Sequence, residues 1–181
     1  MRRPIIFIIL FLSIFLISSS MSQEATQKGG FKISTSAFGN NGQIPVKYTC
    51  DGENVNPPLK IENVPLEAKS LALIFDDIDA PRGTFVHWIL WNIHPNTKAI
   101  KENSVSEGAV QGMNGFKKQN YGGPCPPRRA HKYVFNIYAL DIFLNLDPRS
   151  TNTDLEKAIE GHVIGQAQWM GVYKRVSAPQ K

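Results

Sequence analysis

From position 31 onward, short apolar segments alternate with breaks rich in Gly, Pro and Asn. Residues 71–75, LALIF, are apolar without interruption, the pattern of a strand buried on both faces. Residues 85–93, FVHWILWNI, are apolar on both sides as well. Strict alternation would put Phe85, His87, Ile89, Trp91 and Ile93 on one face and Val86, Trp88 and Leu90 on the other. Residues 132–140, KYVFNIYAL, are aromatic and β-branched, which suits a third strand. AQWMGVYKRV near the C-terminus reads as a fourth, weakened by Gly171.

One helix is expected. Thr153, with Glu156 three residues on, reads as a capping box, and DLEKAIEGHVIGQA follows. Leu155, Ala158, Ile159 and Val163 would form its apolar stripe, with Gly161 and Gly165 weakening the second half. Prolines at 45, 57, 58, 65, 81, 95, 124, 126 and 127 exclude a mostly helical protein. The class is mainly β, with two packed sheets as the natural way to bury strands on both faces.

The first 20 residues follow another pattern. MRRPIIFIILFLSIFLISSS has two arginines, an apolar run too short for the ~20 residues of a spanning helix, and then small serines. That order matches a secretory signal peptide cleaved near Ser20; an uncleaved membrane anchor is the alternative. Residues 21–30 read as a polar tail and 31–176 as one domain. Without residues 1–20, which carry Arg2 and Arg3 and no acid, the formal charge falls from +5 to +3. The basic residues are scattered, so nucleic acid is not an expected partner. Cys50 and Cys125 are the two cysteines, and in an exported chain such a pair suggests a disulfide. Their separation would contribute roughly 4 kcal/mol on a loop-entropy account. Two reduced, buried thiols are the alternative.

Two stretches could carry chemistry. In DDIDAPRGTFVHW, Asp76, Asp77 and Asp79 stand where the first strand runs out, and Pro81 and Gly83 turn the chain. If the backbone stays extended, Asp77 and Asp79 point one way and Asp76 the other. A simple hairpin would bring His87 to this acidic end, where a carboxylate could orient the imidazole and raise its pKa. The plainer reading of His87 is a satisfied core histidine. In GPCPPRRAHKY, His131 and Tyr133 share a face, roughly 7 Å apart by strand rise. Pro124, Pro126 and Pro127 have fixed φ and no N–H, so the loop before them is stiff and its remaining donors, such as those of Gly123 and Cys125, are aimed. Fixed N–H donors beside two histidines and a phenol suit a small anion, above all a phosphate or phosphate monoester. Packing of His131 and Tyr133 at a wet sheet end is the bland alternative.

These same residues resemble the phosphatidylethanolamine-binding proteins, also called Raf kinase inhibitor-like proteins, and most closely their prokaryotic branch. DDIDAP…HW, GPCPP…HKY.F.IYALD, VKYTCDGENVNPPLKIENVP, KSLALIFDD and GHVIGQAQWMGVYKR carry the likeness, which covers 31–176. The resemblance implies a large mixed β-sheet packed on a smaller one with short peripheral helices. It also implies a pocket for phosphate or phosphorylethanolamine. In that pocket Asp77 and Asp79 would be the acidic pair and Pro81 the family proline. His87 and His131 would be the two histidines and Tyr133 the tyrosine, with Gly123, Cys125 and Pro126 in the pocket loop. Ile78 stands where the motif usually has proline, Arg128 where it has glycine and Lys132 where it has arginine.

The expected function is therefore binding of a phosphate monoester or phospholipid headgroup, without a cofactor and without turnover. Asp77 and Asp79 would orient His87 or face the ammonium of a zwitterionic headgroup. A protein–protein inhibitor of a kinase or protease, its target unnamed, is one alternative. A histidine-based or metal-assisted phosphohydrolase is another. The sequence leaves a homodimer open.

Overall fold

The computed structural model describes residues 29–175; the signal-like segment 1–20 and most of the tail lie outside the described residues. Nine strands run in chain order: β1 (Lys32–Ser34), β2 (Gly42–Gln43), β3 (Leu59–Glu62), β4 (Ser70–Asp77), β5 (Phe85–Ile93), β6 (Ala99–Ile100), β7 (Val110–Gln111), β8 (His131–Leu140) and β9 (Val163–Tyr173). One α-helix, α1 (Asn152–Ile159), precedes β9. A three-stranded sheet, β1-β3-β6, lies against a six-stranded sheet of order β2-β9-β8-β4-β5-β7. The larger sheet is mixed: β2 pairs β9 parallel and the other pairings are antiparallel.

Burial explains this layering. β4, the most apolar strand, pairs with β5 on one side and β8 on the other, and its residues 71–75 are fully or almost fully buried. On one face Leu73, Phe75, Trp88, Leu90, Phe135 and Ile137 join Ile33, Leu59, Ile61 and Ile100 of the smaller sheet. On the other, Ala72, Ile74, Ile89 and Trp91 pack under Leu155 and Ile159 of α1. At ~25 cal/mol per Å² of apolar area removed from water, these two clusters supply the main driving force for the fold.

Four sequence expectations are corrected. The capping box belongs to Thr151, whose backbone N–H and hydroxyl both donate to Asp154 at 2.8 Å, and not to Thr153 with Glu156. The helix stops at Ile159, with Gly161 at φ +78 just beyond it. Val163, expected on the helical stripe, instead opens β9 and is exposed, because residues 163–173 gain a full ladder with β8 that a helix would forgo. Gly171 does not weaken that strand: a Cβ there would lie 2.5 Å from Ile44 and 2.7 Å from Phe38, so its bareness lets the β2 segment close over β9.

The fourth correction concerns alternation in β5. Asp76 pairs with Val86 and Phe75 with Trp88, so His87 is the extra residue of a β-bulge. His87 and Trp88 therefore face the same side, and Ile89 and Trp91 face α1 instead of sharing His87's side. The bulge is what aims His87 into the space between β4, β8 and the proline loop.

Candidate functional site

Asp77, the last residue of β4, lies opposite Tyr133 in the β4–β8 ladder. One carboxylate oxygen accepts a hydrogen bond from Nδ1 of His131 at 2.7 Å, and the other accepts the Asp79 N–H at 3.0 Å. Asp79 in turn accepts the Lys132 N–H at 2.9 Å. The two acids thus stitch the end of β4 to the start of β8. Asp77 is buried, and so is His131.

His87 is held differently from the expectation. Its Nδ1 donates to the Gly122 carbonyl at 2.7 Å, and the hydrogen-bonded carboxylate sits on His131, not on His87. Hairpin proximity suggested β5 as Asp77's neighbour, but β4 is central and β8 flanks its other side. Burial, the largest influence, holds the His87 imidazole below its ordinary pKa, with the Gly122 carbonyl and Asp77 opposing. That direction is the reverse of the one expected from an adjacent acid. A carbonyl oxygen can only accept, so Nδ1 carries the proton and a neutral His87 offers Nε2 as an acceptor.

The rings converge. His87 stands edge-on to Tyr133 with centroids 5.3 Å apart, and His131 stacks beside Tyr133 at 6.4 Å. The Tyr133 side chain is fully buried, and its hydroxyl has no hydrogen-bond partner among the described residues. The Asp77 carboxylate and the Cys125 N–H are polar neighbours, without a well-formed bond to it. Burial, and then Asp77, push this phenol far above its usual range, so it stays protonated and able to donate. A buried hydroxyl without a partner costs about 1–3 kcal/mol, a reservoir that a bound acceptor would relieve.

The proline loop borders these rings: the Gly122 carbonyl accepts from His87, and the Cys125 N–H neighbours the Tyr133 hydroxyl. Cys125 is bonded to Cys50 across 75 residues, and the Cys50 N–H donates to the Pro124 carbonyl at 3.1 Å. The Gly123 N–H, expected to face an anion, is already given to Asn54 Oδ1 at 2.7 Å. Gly123 is required by close approach: a Cβ would lie 2.6 Å from both the Tyr48 carbonyl and Asn54 Oδ1. Pro126 is buried, whereas Pro81 sits on the exposed turn between β4 and β5.

Two aromatic residues were not anticipated. Phe85 and Phe116 meet each other at 4.8 Å and pack edge-on against His87 at 5.2 and 5.3 Å. Phe85 precedes His87 by two in one strand and could have been inferred from that; nothing local marks Phe116. Asn54 also escaped notice, though its position in the turn-rich DGENVNPP, where it takes φ +58, was a usable signal.

Comparisons with known proteins identify the family and the fold. Residues 34–174 match the family model described as phosphatidylethanolamine-binding protein. A UPF0098 protein of Methanothermobacter thermautotrophicus is 47% identical over 148 residues, covering 79% of this chain and 98% of that protein. A UPF0098 protein of Pyrococcus horikoshii is 51% identical, covering 82% of this chain and 79% of that one. Among solved structures, a phosphatidylethanolamine-binding protein homolog from Chlamydia trachomatis superposes with a TM-score of 0.78 at 38% identity, over 81% of this chain and 98% of that one. E. coli YbcL, described as a member of the mammalian PEBP family, gives 0.77 at 26% identity, over 81% of this chain and 99% of its own. With its motifs, its mixed sheet and its relatives in accord, the chain belongs to the phosphatidylethanolamine-binding protein family.

Proposed function

We propose that the ring cluster where β4, β5, β8 and the proline loop meet binds a phosphate-bearing small molecule or lipid headgroup of the phosphorylethanolamine type. The observation that carries this is the convergence of two buried imidazoles, each with Nδ1 committed to the protein, on a buried tyrosine hydroxyl that has no partner. Each ring leaves Nε2 for a guest, and the phenol can donate. The phosphoryl oxygens would sit among these groups, held by charge-assisted hydrogen bonds when the rings are protonated. Because Nε2 of a neutral His87 accepts, the ligand must either arrive with a proton or draw one onto the ring.

Asp77 would act here as a positioning residue for His131. The half-buried Asp79, beside it, would face the ammonium of a zwitterionic headgroup. The role is binding without turnover, in an exported protein; a disulfide behind a signal-like leader supports that compartment.

The test is NMR titration with O-phosphorylethanolamine, following the imidazole resonances. Shifts at both His87 and His131 are expected. Unmoved resonances for both histidines at high millimolar ligand would end the proposal.

A further inference from the structure

At one end of the six-stranded sheet, β2 pairs with only Gly171 and Val172 of the long strand β9. The segment around β2 caps that end of the strand. Asn40 Oδ1 accepts the Met170 N–H at 2.9 Å, the Met170 carbonyl accepts the Asn41 N–H at 2.8 Å, and the Val172 carbonyl accepts the Ile44 N–H at 2.8 Å. From Gly165 to Tyr173 the ladder with β8 is regular, so alternate residues of β9 turn their backbone groups to this same outer side. Gln166 and Gln168 are the next two, and their outward N–H and carbonyl groups have no partner among the described residues. The stretch IGQAQW, residues 164–169, has neither charge nor proline, the devices that ordinarily keep an open edge from recruiting another strand.

Two hollows flank this edge, and both reach Ala167 and Gln168. One, of about 370 Å³, lies on the α1 side of the sheet and is lined by Asn136, Tyr138 and Gln166. The other, of about 300 Å³, lies between β9 and β1, with Phe31, Ile33 and Trp169 in its wall. The Trp169 indole N–H is buried without a partner among the described residues, a donor that an arriving carbonyl or hydroxyl would satisfy. A strand laid along the edge sends successive side chains to opposite faces and so reaches both hollows at once.

We propose that the open edge of β9 takes up an extended peptide segment of a partner protein as an added strand, continuing the line of the 40–44 segment. Backbone hydrogen bonds to Gln166 and Gln168 hold it, and the hollows select its side chains. An aromatic or branched aliphatic side chain enters beside Phe31 and Trp169; a hydroxyl or amide side chain enters beside Asn136 and Tyr138. A second copy of this chain suits the edge less well. Its own β9 brings to the apolar hollow only Gly165, Ala167 and a Trp169 already packed on its core. Residues 21–28, MSQEATQK, bring no aromatic or branched aliphatic side chain at all.

The probe is a short acetylated and amidated peptide alternating threonine with phenylalanine, followed by NMR and amide hydrogen exchange. In the free protein the Gln166 and Gln168 amides should exchange faster than that of Met170, and saturating probe should shift and protect them. Methylating the backbone nitrogens of alternate probe residues blocks one side of a strand. One methylated set should therefore abolish binding and the other retain it, and which set is lost reports the direction of the added strand. Gln168→Pro deletes an N–H that β9 itself leaves unused, so the fold should stand while probe affinity falls about tenfold. The methylated probes need no variant, so they decide the matter even if that substitution disturbs folding. Absent shifts at Gln166 and Gln168, or equal effects of the two methylated sets, overturn the proposal. So does an alanine-for-phenylalanine probe that binds as well as the parent. Protection of both amides in the free protein also overturns it, in favour of a second copy if sedimentation shows a dimer and of the chain's own tail if it shows a monomer.

Discussion

Asp76 and Asp77 are one peptide bond apart, yet they occupy two different worlds on the two faces of β4. Asp77 faces the smaller sheet and the ring cluster, and both of its oxygens are satisfied, by His131 and by the Asp79 N–H. Asp76 faces α1. One of its oxygens accepts from Asn136 at 3.2 Å, and the other is buried with no partner. Burial pushes the Asp76 carboxyl up to about 7, with Glu156 of α1 adding to the rise and Asn136 opposing it. Burial, then Asp76 and Glu156, also raise the Tyr138 phenol. The contrast teaches that the acidic run DDID is not one cluster. A pleated strand divides it into an organised carboxylate serving a site and an under-satisfied one that strains the fold.

The largest expected effect falls on the organised side. Asp77→Ala leaves His131 Nδ1 buried without its acceptor, and breaking a buried pair in this way costs about 3–5 kcal/mol. Chemical denaturation should show that loss, and phosphorylethanolamine binding should vanish with it. A variant as stable as wild type would mean that the two faces of β4 are not so different.

Asp76 should behave in the opposite sense. A folded-state pKa raised to about 7 from 3.8 means that protonation favours the native state. This group's stabilising contribution is full below the unfolded value and is lost as pH rises through about 7. Wild type should therefore lose about 2–3 kcal/mol relative to Asp76→Asn between pH 5 and pH 8, with no further change above that. A pH-independent gap between the two proteins would remove the contrast.

Back in the ring cluster, His87 should titrate below the ordinary imidazole range in the free protein and move upward when phosphorylethanolamine is added. Linkage then requires binding to tighten as pH falls from 8 towards the free-protein value, approaching about tenfold only below that value if the ring gains one pKa unit of stabilisation. NMR titration of the free and bound protein checks both halves; a free value at or above the ordinary one would sink the account. The smallest effect belongs to Phe116, which is 43% exposed. Phe116→Ala should cost about 1 kcal/mol through its lost edge contacts and raise the His87 pKa by admitting water. Thermal unfolding and the same titration measure it.

The sequence showed the site's composition more clearly than its wiring. Runs 71–75, 85–93 and 132–140 were legible because strands buried on both faces have no polar positions to blur them. His87, His131, Tyr133 and Asp77 were legible because polar groups stand out at the ends of such runs. Which acid meets which histidine was not, since it depends on β8 lying beside β4, a pairing of residues more than fifty apart. Neither was the bulge at His87, which turns on a one-residue slip between partners. The β1, β3 and β6 strands are two to four residues long and carry too little pattern to read. Thr151 and Thr153 are both acceptable caps on local grounds, and only the placement of Leu155 and Ile159 against β4 and β5 chooses between them.

The bond between Cys50 and Cys125 has a consequence for the border of the ring cluster. With its crown riveted to the 48–50 segment and its prolines immobile, the rim has no jaw to swing. If the ring cluster takes a ligand as proposed, exchange would have to proceed past a border whose backbone this covalent tie pins in place.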